Sequence, residues 1–325
     1  MPDAGGGEPY RFVVDETSFD FRELTEQHLT DLLDNFNDSL EELQEGYKVA
    51  RSQSWYEVDC TDERKLYDVL YEGGTPKVGR DARLRTVRLM DKCPSWDTEL
   101  SGRPGRVEVE GEAKEEAGSL GYAWYRTRHG HHTACVVFPV AHGRGWQPVS
   151  AVEGASGEPV AVEVFFLAEP AALTDFWRSL FLREDVAEPD FLDRAREAFP
   201  GLVLADSLSF RKFDGTYREL RDWVVDVLSV VQDHFADAVR KHAGKPNDVQ
   251  AELGRHGLTL SPESPKTHKN KKIMRQRDVK HDDETYRCEW HAKKEGHRNR
   301  VHFSLPEQRL GGRVLIGIFV DHLDT

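Results

Sequence analysis

Four residues near the C-terminal end have the side chains that phosphodiester chemistry uses: Glu289, His291, Arg300 and His302. Cleaving RNA without a metal needs a base for the 2′-hydroxyl, an acid for the leaving oxygen and a cation for the phosphorane. Glu289 or His291 fits the base, His302 the acid and Arg300 the cation, since imidazole works in either role near neutral pH. Lys293, Lys294 and Arg298 could hold the nucleic-acid backbone beside them. The same residues would also serve for binding alone, or as the wet face of a small antiparallel sheet.

Strands are what must position these groups. In Tyr286-Arg287-Cys288-Glu289-Trp290-His291 the alternation sets Tyr286, Cys288 and Trp290 on one face and Arg287, Glu289 and His291 on the other. Arg298 to Phe303 repeats it, with Val301 and Phe303 inward and Arg298, Arg300 and His302 outward. In Arg313 to Asp321 the pattern puts Val314, Ile316, Ile318 and Val320 inward. Gly317 then faces outward and leaves room for a close substrate. Ahead of these strands, Lys266 to Lys280 holds seven Lys/Arg (Lys266, Lys269, Lys271, Lys272, Arg275, Arg277 and Lys280) against Asp278 alone. That segment is +6 in a chain of net charge −14, which leaves −20 on the rest. A basic strip on an acidic body attracts a polyanion locally.

A basic approach segment followed by strands reading Tyr286–His291, Arg298–Phe303 and Arg313–Ile318 resembles the terminal β-meander of RelE/ParE-type toxins. Some members of that superfamily cleave mRNA and others poison a topoisomerase. The resemblance implies that basic and His residues on the meander do the work. Those toxins are usually small, basic, stand-alone domains, whereas this chain is 325 residues long and acidic overall.

At that length two domains are expected, an acidic α+β domain to about residue 199 and a second from 200 to 325. The first should carry an antiparallel sheet. Its expected elements are a strand at Arg11 to Val14, a helix from an N-cap at Asp20 to about Tyr47, and helices near Thr61 to Tyr71 and Arg80 to Lys92. An arginine stripe on the last of these (Arg80, Arg83, Arg85, Arg88) is suited to pairing with the acidic first helix. A hairpin around Val107 to Val109, strands at Tyr122 to Arg128 and Thr133 to Val140 turning at Gly130, and a strand from Val160 to Leu167 complete that domain. Two helices near 171–181 and 189–198 follow. The second domain should hold a short strand at Leu202 to Leu204, a long helix from Thr216 to His242, a helix from Pro246 to Gly254, a basic loop from Ser261 to Lys280, and the C-terminal antiparallel meander.

Other candidates are thinner. His129-Gly130-His131-His132 reads as an exposed hairpin tip, because alternation sends the imidazoles to opposite faces. Asp97 with Glu112-Ala113-Lys114 loosely matches the D…E-x-K set of metal-dependent nucleases, yet it falls in a segment that reads as a connection. Cys60, Cys93, Cys135 and Cys288 are scattered and expected to be buried free thiols. No phosphate-binding glycine loop, H-E-x-x-H or G-x-S-x-G is present. The sequence calls for no metal and no cofactor. Met1 to Glu8 lacks a signal-peptide pattern, and no run is long and apolar enough for a membrane helix, so a cytoplasmic protein is expected. Its expected partners are RNA or DNA on the basic strip, or alternatively a basic protein docking the acidic N-terminal domain, with the chain as a non-enzymatic accessory subunit. The acidic domain occupying the basic strip is a further expectation of the charge split.

Overall fold

The computed structural model describes residues 9–97, 104, 106–139, 143–153, 157–296 and 298–324; the expected leader Met1 to Glu8 lies outside them. Of the described residues, 44% are helical and 22% are in strands, in mixed sheets, so the α+β class is as expected. The chain divides into two compact units, Met1–Phe176 and Trp177–Thr325, where the sequence places a division near residue 199. No helix among the described residues is long and apolar enough to cross a membrane.

In the first unit β1 (Phe12–Val14) precedes α1 (Glu26–Gly46). The helix is capped by Thr25, whose hydroxyl accepts from the His28 N–H. The expected cap, Asp20, instead accepts from the Arg22 N–H in a turn ahead of the helix. An aspartate satisfies a backbone N–H two residues on in a turn as readily as at a cap, so the two read alike in sequence. β2 (Val49–Ala50), α2 (Leu66–Leu70) and α3 (Arg80–Lys92) follow. Arg85 of α3 bridges Asp38 at 2.6 Å and Glu41 at 2.5 Å on α1, the use expected of the arginine stripe. β3 (Val107–Val109) and β4 (Glu112–Lys114) form the expected hairpin.

The next segment differs from expectation. Tyr122 to Arg128 belongs to a helix, α4 (Gly118–Arg128), not to a strand. Gly130 has φ 82° and donates to the Thr127 carbonyl, while His131 donates to the Arg126 carbonyl. That pair of bonds is a Schellman motif, so the glycine that reads as a hairpin turn ends a helix. Seven consecutive residues, Gly118 to Trp124, are buried, which erases the periodicity that separates buried helix from buried strand. β5 (Ala134–Val136), β6 (Gly145–Ala151) and β7 (Val160–Leu167) complete a seven-stranded sheet of order β2-β1-β5-β7-β6-β3-β4. Its first four strands are parallel and its last three antiparallel, so the sheet is mixed, not antiparallel as expected. Parallel neighbours need a crossover, and α1 supplies one between β1 and β2.

α5 (Leu173–Arg183) leads to α6 (Phe191–Ala198) and β8 (Leu202–Leu204) in the second unit. The expected long helix is α7 (Tyr217–Val230), continued through a π turn (Val231–Phe235) into α8 (Ala236–Lys241), and α9 (Pro246–Leu253) follows. The basic loop proves to be structured. β9 (Thr259–Pro262), α10 (Pro265–Lys269), α11 (Lys271–Met274) and a turn through Arg277 lead into β10 (Asp278–His281). Ser264 caps α10 ahead of Pro265, and the Asn270 side chain accepts from the Lys272 and Ile273 N–H groups to cap α11.

The segment Tyr286 to His291 is two strands instead of one. β11 (Glu284–Arg287) pairs with β10 across a two-residue turn in which Asp282 and Asp283 both have positive φ, while β12 (Trp290–Lys293) enters another sheet. The crossing is fixed by Cys288 donating to the Arg277 carbonyl and Glu263 donating to the Glu289 carbonyl. β13 (Arg300–Phe303) and β14 (Val314–Val320) complete a five-stranded sheet ordered β8-β14-β13-β12-β9. Within it β12, β13 and β14 form an antiparallel meander, with β9 antiparallel at one edge and β8 parallel at the other.

Candidate functional site

The two faces of this second sheet differ as the alternation requires. Trp290 and Phe303 meet Phe235 of the π turn edge-on, with centroids 5.2 and 5.0 Å away. Val301 pairs with Phe319 on this apolar side. A register shift between His302 and Phe303 sets Phe303 opposite Ile316 but His302 opposite Ile318. Ile318 and Val320 therefore share the polar face instead of pointing inward with Ile316. Gly317 does not open a path for substrate either. An added Cβ would collide with Cys288 Sγ and lie 2.8 Å from Val279 Cγ2, so its missing side chain admits the β10–β11 hairpin.

On the polar face His291 lies opposite His302, and Lys293 opposite Arg300. The face is not solvent-exposed as expected. His291 is 3%, His302 0% and Arg300 5% exposed. Glu289 does not join them; it sits half-buried at the crossing between sheets. The carboxylate that does is Glu263, just after β9, whose Oε1 lies 3.7 Å from His291 Nδ1 and 4.0 Å from His302 Nδ1. Arg277, fully buried, places Nε and Nη2 both 2.9 Å from that same oxygen. It also donates to the Ile273 and Asp324 carbonyls, tying α11 and the C-terminal segment to the sheet. Arg277 is thus a buried structural cation, not one of the backbone-binding groups expected on the basic strip.

Burial, then the neighbouring His302 imidazole and the positive charges of Lys293, Arg300 and Arg277, pushes His291 down to about 2. Burial, then Arg277 and Arg300, pushes His302 down to about 3. Both imidazoles are neutral at pH 7 and too weakly basic to trade protons efficiently there. Burial also lowers Arg300 and Lys293, the latter further through Arg300. Glu263, His291 and His302 offer three ligand atoms within 4.8 Å of one another. A transition ion would draw such donors to about 2.0–2.2 Å. Two features oppose it: Arg277 already claims Glu263 Oε1, and the guanidiniums that keep the imidazoles neutral would repel a divalent cation. The set is better suited to a polar hub joining α11 to the sheet.

The remaining cations of the strip lie elsewhere. Lys266, Lys269, Lys271, Lys272, Arg275 and Lys280 are all exposed, and none has an ion-pair partner among the described residues. Lys294 and Arg298, by contrast, are committed: Lys294 donates to the Glu219 carbonyl, and Arg298 bridges Asp214 at 2.7 Å and Glu295. Their neighbour Asn299, at φ 55°, exchanges two bonds with the Asp214 backbone.

Elsewhere, His129 is the C-terminal cap of α4 and donates from Nδ1 to the Tyr125 carbonyl, so the histidine run follows a helix and not a hairpin. Asp97 accepts from Gln53 N–H and Ser95 Oγ, while Glu112 and Lys114 pair with each other on the hairpin. Glu112 and Lys114 line an open cleft of about 1360 Å³ in the first unit, together with Asp20, Glu23, Glu110 and Glu115. All four cysteines are buried free thiols, as expected. Glu263 had no local signal, being separated from His291 by an entire hairpin. The helical caps Ser264-Pro265 and Asn270 were readable and would have shown the loop to be ordered. No family model, curated protein or solved structure matches this chain.

Proposed function

We propose that this is a nucleic-acid-binding protein whose contact surface is the pair of short helices α10 and α11. The observation that carries the reading is the set of six exposed, unpaired Lys/Arg between Lys266 and Lys280, in a protein whose other basic residues are widely paired. Cations left free on an acidic chain are what counterion-releasing contact with a phosphate backbone requires. Two capped helical turns carry four of them, Lys266, Lys269, Lys271 and Lys272, with Arg275 in the turn that follows and Lys280 on β10, and Arg277 anchors those turns to the sheet. The likeness of the meander to RelE/ParE-type toxins makes RNA the first ligand to test. Cleavage is not part of the proposal, because His291 and His302 are buried and neutral.

The test is fluorescence anisotropy with single-stranded RNA and duplex DNA over a salt series. Neutralising Lys269, Lys271, Lys272 and Arg275 together should reduce the slope of log K against log salt by about three, since each phosphate contact on a single strand contributes about 0.7. Arg277 is left intact in that variant. No salt-dependent affinity in the wild type, or an unchanged slope in the variant, would refute the reading and favour the accessory-subunit alternative.

A further inference from the structure

Register sorts the polar face of the second sheet into two cross-strand rows. Ser261, His291 and His302 form the row beside the Glu263–Arg277 pair. Thr259, Lys293 and Arg300 form the other, one residue from each of three adjacent strands. The second row is anomalous. Lys293 and Arg300 are directly opposed, and like charges in that position repel. Neither side chain forms a hydrogen bond or ion pair among the described residues, and Arg300 is only 5% exposed with an unsatisfied Nε.

A guanidinium that deep is normally paired, because desolvating it alone is costly. Here one carboxylate that acts on Arg300, Glu263, is held by Arg277. Asp321 also acts on Arg300, but its Oδ1 is engaged by the Asn299 N–H. Three cations, Arg277, Lys293 and Arg300, therefore share two carboxylates, Glu263 and Asp321, and the balance left over is positive. We propose that Thr259, Lys293 and Arg300 form a binding subsite for a phosphate group. Adjacent strands lie about 4.8 Å apart, so a hydroxyl, an ammonium and a guanidinium on long stems can converge on one oxyanion. In assigning that phosphate to a bound nucleic acid, the inference rests on the function proposed above; free phosphate has the same chemistry and is separated from it by the test.

The experiment compares thermal unfolding of the full chain in sodium phosphate and in sodium chloride at matched pH and ionic strength. The proteins are wild type, Arg300→Met, Lys293→Gln and the variant neutralised at Lys269, Lys271, Lys272 and Arg275. Phosphate stabilises many proteins generally, so the readout is the difference between wild type and Arg300→Met. The expected result is a phosphate response in wild type that is roughly tenfold or more weaker in midpoint concentration for Arg300→Met and Lys293→Gln. In chloride alone, Arg300→Met should melt higher than wild type, as removing an unpaired functional charge usually allows. Equal phosphate responses in wild type and Arg300→Met would overturn the proposal. So would a lower melting temperature for Arg300→Met in chloride, which would make the guanidinium structural. The four-site variant should keep its phosphate response while losing RNA affinity, so failure of the helical surface and failure of the subsite are told apart. A loss of affinity on removing the 5′-phosphate of an RNA, seen in wild type but not in Arg300→Met, assigns the subsite to a strand end. Equal affinities for the two RNAs, with Arg300→Met weaker for both, assign it to a backbone phosphate.

Discussion

Two buried neutral imidazoles should make the second unit acid-sensitive in a narrow window. His291 and His302 start from 6.5 in the unfolded chain and lie at about 2 and about 3 in the fold. Between those limits the unfolded state binds protons that the native state does not, so stability rises with pH there and is fully present above about 6.5. From pH 7.5 to pH 5, each histidine should cost about 2 kcal/mol and the pair about 4 kcal/mol, whatever their folded values below 4. For a unit of about 150 residues that is roughly 8–16 °C in its melting temperature. Glu16 works in the opposite sense: burial, then Asp15, raises it from 4.5 to about 7, so acidification stabilises the first unit over that range. The assay is therefore the pH dependence of wild type minus that of a His291→Gln/His302→Gln variant, by urea or thermal unfolding. If the variant loses as much stability between pH 7.5 and 5 as the wild type does, the imidazoles are not neutral in the fold and the buried-hub reasoning fails.

Other consequences follow from single contacts. Glu263→Gln leaves the buried Arg277 uncompensated and should cost about 3–5 kcal/mol, with most of that recovered in Glu263→Gln/Arg277→Met; a double variant no better than the single would refute the pairing. Glu16→Gln should stabilise the first unit by up to about 3 kcal/mol at pH 8, an advantage that disappears by pH 4.5, as unfolding at the two pH values will show. Gly317→Ala should cost about 1–3 kcal/mol by pushing on Cys288 and Val279, and Cys288→Ala should relieve part of it; an undisturbed Gly317→Ala protein would mean the hairpin packs less closely.

The polar face shows where local pattern suffices and where it fails. Trp290 and His291, Val301 and His302 lie on opposite faces because alternation follows from the backbone of contiguous residues. The same reasoning failed at Gly317, where a one-residue register shift reversed the faces of Ile318 and Phe319. Shifts of that kind depend on the partner strand, which adjacent residues do not encode.

Sequence alone determined the α+β class, the helix at Arg80–Lys92, the strands at Val160–Leu167 and Leu202–Leu204, the meander and the concentration of positive charge before it. These rest on periodicity and composition within short windows. Only the tertiary structure decided that the imidazoles are covered, that their carboxylate is Glu263 and not Glu289, and that Arg277 is an anchor while its neighbours stay free. Burial of a face is set by whichever distant segment returns over it. Here Glu263 and Arg277 come back across the strands, and the proton affinities and available charges of the site follow from that return.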